Sequence, residues 1–128
     1  MAARALAGLR MLLVEDEVMV ALMLEDHLEQ LGCVVVATAG SVSAGLAALE
    51  RQGPALDAAL LDVNLGGEKV YPVAERLAAR GIPFLFSTAY DPGSIVADFA
   101  QRPVLSKPYG PRALEEMLIF TLKNAAQR

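Results

Sequence analysis

Short apolar runs alternate with longer segments of helical periodicity along this chain. The runs lack the polar alternation of a half-exposed strand, which is typical of strands buried on both faces of a sheet. They predict five strands, at 11–14, 33–37, 58–61, 83–86 and 103–105. Turn signals and helix-starting residues lie between them, so the pattern predicts a strand followed by a helix, five times over.

The segments after the strands predict helices at 18–31, 42–52, 71–80, 94–100 and 111–124. In the first helix, three leucines recur at helical spacing, and two further apolar residues are expected to continue the same inner face. These residues are Leu24, Leu28 and Leu31, with Val18 and Leu22. The helix at 94–100 has the weakest pattern and is expected to be short. In the last helix, Ile119 and Phe120 are expected to add to the core, with a dimer face as the alternative.

The alternation of strands and helices favours an α/β fold, a doubly wound parallel sheet with helices on both faces. The chain has 128 residues, which is the size of one domain. We expect that domain at 10–128, preceded by a loosely attached N-terminal extension at 1–9.

The composition excludes several classes of protein. A net charge of −4 provides no basic surface for nucleic acid, and no apolar run approaches the ~18 residues of a membrane span. The single cysteine, Cys33, excludes an internal disulfide and a cysteine metal cluster, and its apolar neighbours predict a buried, unreactive thiol. These features predict a cytoplasmic globular protein without a membrane or a direct nucleic-acid partner.

Polar residues follow four of the five predicted strands. Because parallel strands end at one edge of a sheet, these residues are expected to meet there. They are Glu15, Asp16 and Glu17 after the first strand, Asp62 after the third, Thr88 after the fourth and Lys107 after the fifth. Crowded carboxylates without histidine or cysteine favour Mg²⁺. With a lysine charge and a hydroxyl beside them, the set favours phosphoryl transfer to a carboxylate nucleophile, Asp62.

Each of these residues also has an ordinary structural interpretation. Asp62 alone is compatible with a turn or a helix cap, and Lys107 alone with a solvated lysine. Glu17 is expected to be an exposed first-turn acid that the helix dipole favours. His27, the only histidine, is expected at an ordinary surface position. Only the combination of these residues at one edge indicates a site.

In combination the residues resemble the receiver domains of two-component response regulators, the CheY-like family. The resemblance covers residues 10–124 and rests on matches in order along the chain. They are the acid pair Glu15–Asp16, then Asp62, then Thr88, then Lys107 followed by Pro108, each after the expected strand. The resemblance implies a flavodoxin-like (βα)5 sheet of strand order 2-1-3-4-5 and a cis peptide bond before Pro108.

The resemblance also implies a role for each site residue. Asp62 would accept a phosphoryl group from the phosphohistidine of a sensor histidine kinase or a histidine phosphotransfer protein. The ligands of Mg²⁺ would be Glu15, Asp16, Asp62 and the backbone carbonyl of Asn64. Lys107 would pair with the phosphoryl group, and Thr88 would hydrogen-bond to it. Phosphorylation would then switch contacts with a downstream protein whose identity the sequence does not specify.

Some positions depart from the family pattern. Val104 occupies the place of the usual aromatic switch residue in strand five, and Tyr90 and Tyr109 are the two candidates to replace it. The run 84–90 partly resembles a subgroup with a Phe-x-Thr-Gly-type signature, with Ala89 in place of the glycine. Tyr90 is also expected to shield the phosphoryl group from water. The stretch between strands four and five is short, which predicts a truncated fourth helix and an unusual output face.

Two alternative functions compete with this interpretation. A haloacid-dehalogenase-like phosphatase also combines an aspartate nucleophile with a lysine and Mg²⁺, but it has a second aspartate two residues later, where this chain has Asn64. A pseudo-receiver would keep the fold without phosphorylation. The leading expectation is a monomer or weak homodimer that is not an enzyme beyond self-phosphorylation and slow autodephosphorylation.

Overall fold

The computed structural model describes residues 6–89 and 95–126. Within them, one sheet contains the strands β1 (Arg10–Val14), β2 (Val34–Ala39), β3 (Ala58–Asp62), β4 (Phe84–Thr88) and β5 (Val104–Ser106). The α-helices are α1 (Val18–Gln30), α2 (Val42–Gln52), α3 (Tyr71–Ala79) and α4 (Pro111–Ala126). Each of these elements begins and ends within about two residues of its predicted bounds, as expected where apolar periodicity is strong.

The five strands lie in the order β2-β1-β3-β4-β5, and every neighbouring pair is parallel. This confirms the doubly wound α/β fold and the strand order 2-1-3-4-5. In the register of the sheet, Asp62 on β3 lies beside Ser87 on β4, and Ser87 lies beside Leu105 on β5. The ends of these three strands are therefore adjacent at one edge.

Alternate residues of β1 face opposite layers of the core. Leu12 and Val14 belong to the cluster that α2 and α3 cover, whereas Met11 and Leu13 belong to the cluster beneath α1 and α4. All four side chains are shielded from solvent. Helices on both faces therefore explain the continuous apolar run, and each such side chain stabilises the fold by about 1.5–3 kcal/mol.

Helix α1 buries a different face from the predicted one. Ala21, Leu24 and Leu28 point into the core, whereas Val18 and Leu22 are 71% and 54% exposed. The prediction that Val18 and Leu22 line the inner face is therefore wrong. Residues two positions apart lie on nearly opposite sides of a helix, so Leu22 and Leu24 cannot share the core.

In the last helix, α4, the residues beside the buried face also differ in exposure. Ile119 packs against the core cluster, which confirms its predicted place. Phe120 is 51% exposed, so the prediction that it adds to the core is wrong. Leu118, two positions earlier, is fully buried on the opposite side of the helix.

The chain before β1 is attached to the domain where the structure describes it. The Leu6 side chain is fully buried in the cluster beneath α1 and α4. The Gly8 N–H donates to the Gly32 carbonyl at 2.8 Å, and the Val34 N–H donates to the Leu9 carbonyl at 2.7 Å. The expectation of a loose extension is therefore wrong for residues 6–9, because Leu6 supplies core surface.

A small hairpin that the sequence analysis did not predict follows β3. Asn64–Leu65 pairs antiparallel with Glu68–Lys69. Gly66 and Gly67 between them have φ values of +59° and +98°. Two consecutive positive φ values are what a two-residue hairpin loop of type I′ requires, and glycine adopts them without strain. We refer to residues 64–69 as the post-β3 hairpin.

The fourth repeat contains a 3₁₀ turn at Ala97–Phe99 where the sequence predicted a helix over 94–100. Phe99 is buried, and its ring lies 5.9 Å from those of Tyr71 and Phe84 and 5.8 Å from that of Phe86, between ring centroids. Aromatic packing therefore attaches this short segment to the core, at the place in the fold where the sequence predicted a helix. Tyr90 lies outside the described residues.

None of the helices in the described part of the chain is long and apolar enough to cross a bilayer. Cys33 is buried as predicted, and burial raises the pKa of its thiol to about 11. The thiol is therefore protonated at neutral pH, as expected of a cysteine that serves packing.

Candidate functional site

The sheet brings the predicted site residues to one edge. Asp62 and Thr88 are the last residues of β3 and β4, Glu15 directly follows β1, and Lys107 directly follows β5. Glu15, Asp62 and Thr88 are almost completely buried, at 3%, 6% and 1% exposure. Such burial of carboxylates is costly unless a positive charge or hydrogen bonds compensate it.

Three carboxylates form an acidic cluster at this edge. One oxygen each of Glu15, Asp16 and Asp62 lies within 4.8 Å of the other two. All three donors are hard oxygens, which is the ligand type that Mg²⁺ prefers. Among the described residues, these donors therefore fit the predicted metal site. For the backbone carbonyl of Asn64, ligation stays a prediction.

Lys107 supplies the positive charge at the acidic cluster. Its Nζ lies 3.1 Å from Glu15 Oε1 and 3.5 Å from Asp62 Oδ2. Burial alone would lower the pKa of this ammonium, but the neighbouring Asp62 and Glu15 carboxylates outweigh that effect and raise it. Lys107 is therefore charged at neutral pH and points at the predicted phosphoacceptor.

The second oxygen of Glu15 is also engaged. Glu15 Oε2 accepts a hydrogen bond from the Glu17 N–H at 3.1 Å, at the start of α1. Glu17 itself is exposed, as predicted. The N-terminus of α1 and Lys107 therefore hold the Glu15 carboxylate from two sides, which fixes it relative to Asp62.

The environment of Asp62 raises its pKa from 3.8 to about 7. Burial is the largest cause, and repulsion from the Glu15 carboxylate adds to it. The Lys107 ammonium and the Asn64 N–H, which donates to the carboxylate, act in the opposite direction. A metal-free site therefore retains a proton on Asp62 near neutral pH, and a cation in the cluster would favour its release.

Thr88 is tied to Lys107 through the backbone. The Lys107 N–H donates to the Thr88 carbonyl at 2.8 Å, and Thr88 pairs with Ser106 across β4 and β5. The structure therefore places Thr88 at the predicted edge beside Lys107. A hydrogen bond from its hydroxyl to a phosphoryl group stays a prediction.

The post-β3 hairpin borders the acidic cluster. A Cβ atom built on Gly66 would lie 3.6 Å from Asp16 Oδ2, so the loop of the hairpin passes beside that carboxylate. The Lys69 ammonium donates to the Asn64 side-chain oxygen. Lys69 is not among the predicted site residues, because a lysine that lies beyond a turn carries no signal until the hairpin is known.

Tyr109 makes a second contact that the sequence did not reveal. The peptide between Lys107 and Pro108 is cis, as predicted. Beyond it, the Tyr109 hydroxyl donates to Ser87 Oγ at 3.1 Å. Burial is the main cause that raises the pKa of this phenol above its usual value. Of the two predicted aromatic replacements, Tyr109 is thus in contact with β4, while Tyr90 lies outside the described residues.

His27 occupies a different environment from the predicted one. The side chain is half-buried rather than on the surface. Its Nδ1 atom is shielded from solvent, and no partner for it lies among the described residues. His27 is on α1 and takes no part in the acidic cluster.

Comparisons with known proteins agree with this arrangement. A family profile described as "Response regulator receiver domain" matches residues 11–119. The solution structure of SdrG from Sphingomonas melonis Fr1 is 48% identical, with a TM-score of 0.78 over 92% of this chain and 98% of that one. The BeF3-activated conformation of SdrG from Pseudomonas melonis Fr1 is also 48% identical, with a TM-score of 0.76 over 91% and 98%.

A more distant solved structure is the response regulator PhyR from Brucella abortus, which is 26% identical with a TM-score of 0.81. The alignment covers 98% of this chain and 53% of PhyR. No match was found among curated protein sequences. The profile match covers most of the chain, and the strand order and the acidic edge agree with it. The chain therefore belongs to the response regulator receiver domain family.

Proposed function

We propose that Asp62 accepts a phosphoryl group from the phosphohistidine of a histidine kinase or a histidine phosphotransfer protein. The observation that carries this proposal is the position of Asp62. It is a buried carboxylate at the end of β3, with the Lys107 ammonium 3.5 Å from one oxygen and two further carboxylates within 4.8 Å. An aspartate with a purely structural role does not require a lysine and two further carboxylates around it.

The reaction uses the groups at this edge in separate roles. One oxygen of Asp62 attacks the phosphorus, the N–P bond of phosphohistidine breaks, and the leaving imidazole takes the electron pair. Lys107 offsets the charge on the phosphoryl oxygens, and Glu15 and the Thr88 carbonyl hold Lys107 in place. Mg²⁺ bound by the acidic cluster would neutralise the carboxylates and the transferring oxygens.

The product would act as a switch of protein contacts. A phosphoryl group adds about 1.5 to 2 negative charges and three strong acceptors at the end of β3. We expect the Thr88 hydroxyl to donate to it, which would shift the adjoining ends of β4 and β5. The BeF3-activated conformation of SdrG supports a phosphorylation-dependent switch in general, because beryllium fluoride has the charge and shape of a phosphoryl group. Beyond self-phosphorylation and slow autodephosphorylation, we propose no enzymatic turnover of small substrates.

The exposed side of α1 is the proposed docking surface for the phosphodonor. Four apolar side chains form one continuous row on it, Val18, Met19, Leu22 and Met23, at 71%, 77%, 54% and 46% exposure. Exposed apolar patches of this kind mark contact sites. The row begins three residues after Glu15, so a helix of the donor packed on it would bring its phosphohistidine to the Asp62 edge.

Leu22→Glu is expected to slow phosphotransfer from the cognate kinase at least about tenfold, because a buried charge would oppose docking. Phosphorylation by acetyl phosphate should stay within about twofold, since a small donor needs no docking surface. Val34→Glu is the matched control, because Val34 is 45% exposed on β2 rather than on α1. Equal kinase rates for Leu22→Glu and wild type would contradict docking on α1.

The proposed phosphorylation is tested by mass spectrometry after incubation with Mg²⁺ and acetyl phosphate or phosphorylated kinase. We expect the mass of one phosphoryl group on the intact protein, and Asp62→Asn should abolish it. Asp98→Asn, at an exposed carboxylate in the 3₁₀ turn, should leave it unchanged. An adduct that persists in Asp62→Asn would reject Asp62 as the acceptor, and no adduct from any donor would instead support a pseudo-receiver.

A further inference from the structure

We infer that Tyr109 is a positioning residue for Lys107 and acts through Ser87. Its hydroxyl fastens the loop that carries Lys107 to the end of β4, so that the ammonium stays between Glu15 and Asp62. The inference rests on the proposed function, because positioning Lys107 matters only if Asp62 accepts a phosphoryl group.

The contact joins a half-buried side chain, Tyr109, to a fully buried one, Ser87. Tyr109 packs with its ring against the cluster beneath α1 and α4 and donates its hydroxyl hydrogen to Ser87 Oγ at 3.1 Å. Ser87 is 1% exposed. A hydrogen bond of a half-buried phenol to a buried hydroxyl is directional, and the Ser87 end has little access to water, so it restrains both residues.

Ser87 is anchored at the centre of the acceptor edge. It lies between Asp62 on β3 and Leu105 on β5 in the register of the sheet. Its carbonyl accepts a hydrogen bond from the Val63 N–H at 3.0 Å, directly after Asp62. The phosphoacceptor and the Tyr109 hydroxyl are therefore fixed to the same residue.

The loop from Lys107 to Gly110 has two attachments to β4. The Lys107 N–H donates to the Thr88 carbonyl at 2.8 Å, and the Tyr109 hydroxyl donates to Ser87, the preceding residue of β4. Pro108 and Gly110, on either side of Tyr109, are exposed. Tyr109 is thus the half-buried contact that sets the course of the chain immediately after Lys107.

A purely structural role for the same hydrogen bond makes a different prediction. Removing the Tyr109 hydroxyl alone leaves the buried Ser87 hydroxyl without this partner, which destabilises the fold, whereas removing both hydroxyls is nearly neutral for stability. If Tyr109 only stabilises the core, the double variant Ser87→Ala/Tyr109→Phe should recover both stability and phosphorylation rate. If Tyr109 positions Lys107, the double variant should recover stability and remain slow.

The experiment measures unfolding and the rate of phosphorylation by acetyl phosphate with Mg²⁺ for wild type, Tyr109→Phe, Ser87→Ala and the double variant. We expect the double variant to unfold like wild type and to be phosphorylated about three- to tenfold more slowly, the worth of one hydrogen bond. Tyr71→Phe is the control, because the Tyr71 hydroxyl bonds instead to the Val96 N–H, at 3.3 Å. A double variant at the wild-type rate would overturn the inference.

A second readout does not depend on phosphorylation. The ¹H–¹³C resonance of the Lys107 ε-methylene, assigned by its loss in Lys107→Arg, reports the surroundings of the ammonium in the metal-free protein. We expect this resonance to shift in the double variant and to stay in place in Tyr71→Phe. An unshifted resonance rejects the positioning role. If the resonance shifts in the double variant but wild-type protein accepts no phosphoryl group, the proposed function is rejected and the positioning of Lys107 by Tyr109 is not.

Discussion

Lys107→Ala is expected to slow phosphorylation of Asp62 by acetyl phosphate at least about 100-fold, the usual cost of losing one preorganised charge partner of a transition state. The ammonium lies 3.5 Å from Asp62 Oδ2 and 3.1 Å from Glu15 Oε1 in a largely buried setting. The positive charge of Lys107 would stabilise the negative phosphoryl oxygens during transfer to Asp62. The rate of adduct formation at saturating Mg²⁺ measures the effect.

Two further lysine variants show what this position requires. Lys107→Arg keeps the positive charge but replaces a compact ammonium with a planar guanidinium. We therefore expect a phosphorylation rate between those of wild type and Lys107→Ala. Lys123→Ala removes an exposed charge from α4 and should stay within about twofold of wild type. A Lys107→Ala rate within about threefold of wild type would show that Lys107 is not part of the acceptor chemistry.

The fold was predictable because its strands are buried on both faces. Four apolar residues in a row, as in 58–61, are stable only between two covered layers, and the glycines and prolines between such runs mark where each element ends. The faces of helices rich in apolar residues were less predictable. In α1, both candidate faces carry Val, Leu or Met, so only the packed structure distinguishes Leu24 in the core from Leu22 in solvent.

The site could be predicted as far as strand ends determine it. Glu15, Asp62, Thr88 and Lys107 each adjoin the end of a parallel strand, so the topology alone brings them to one edge. Contacts made by loops could not be predicted in that way. The Tyr109 contact with Ser87 depends on the path of the chain after Lys107, and the approach of Gly66 to Asp16 depends on the post-β3 hairpin.

Asp62→Asn is expected to stabilise the metal-free protein by up to about 4 kcal/mol at pH 8, although it abolishes phosphorylation. The pKa of Asp62 is raised from 3.8 to about 7 in the folded state, chiefly by burial. Between these values the folded protein holds a proton that the unfolded chain has released, so rising pH favours unfolding. The asparagine has the shape of the carboxyl group without its charge and removes this effect.

The sign of the pH dependence separates this explanation from a simple gain in packing. Below about pH 4, Asp62 is protonated in both states, and wild type and Asp62→Asn should differ little in free energy of unfolding. The difference should grow as pH rises from 4 to 7 and then level off. Urea unfolding with a chelator present measures it, with Asp98→Asn as the exposed control. A constant difference across this range would mean that the buried charge of Asp62 is not what destabilises the empty site.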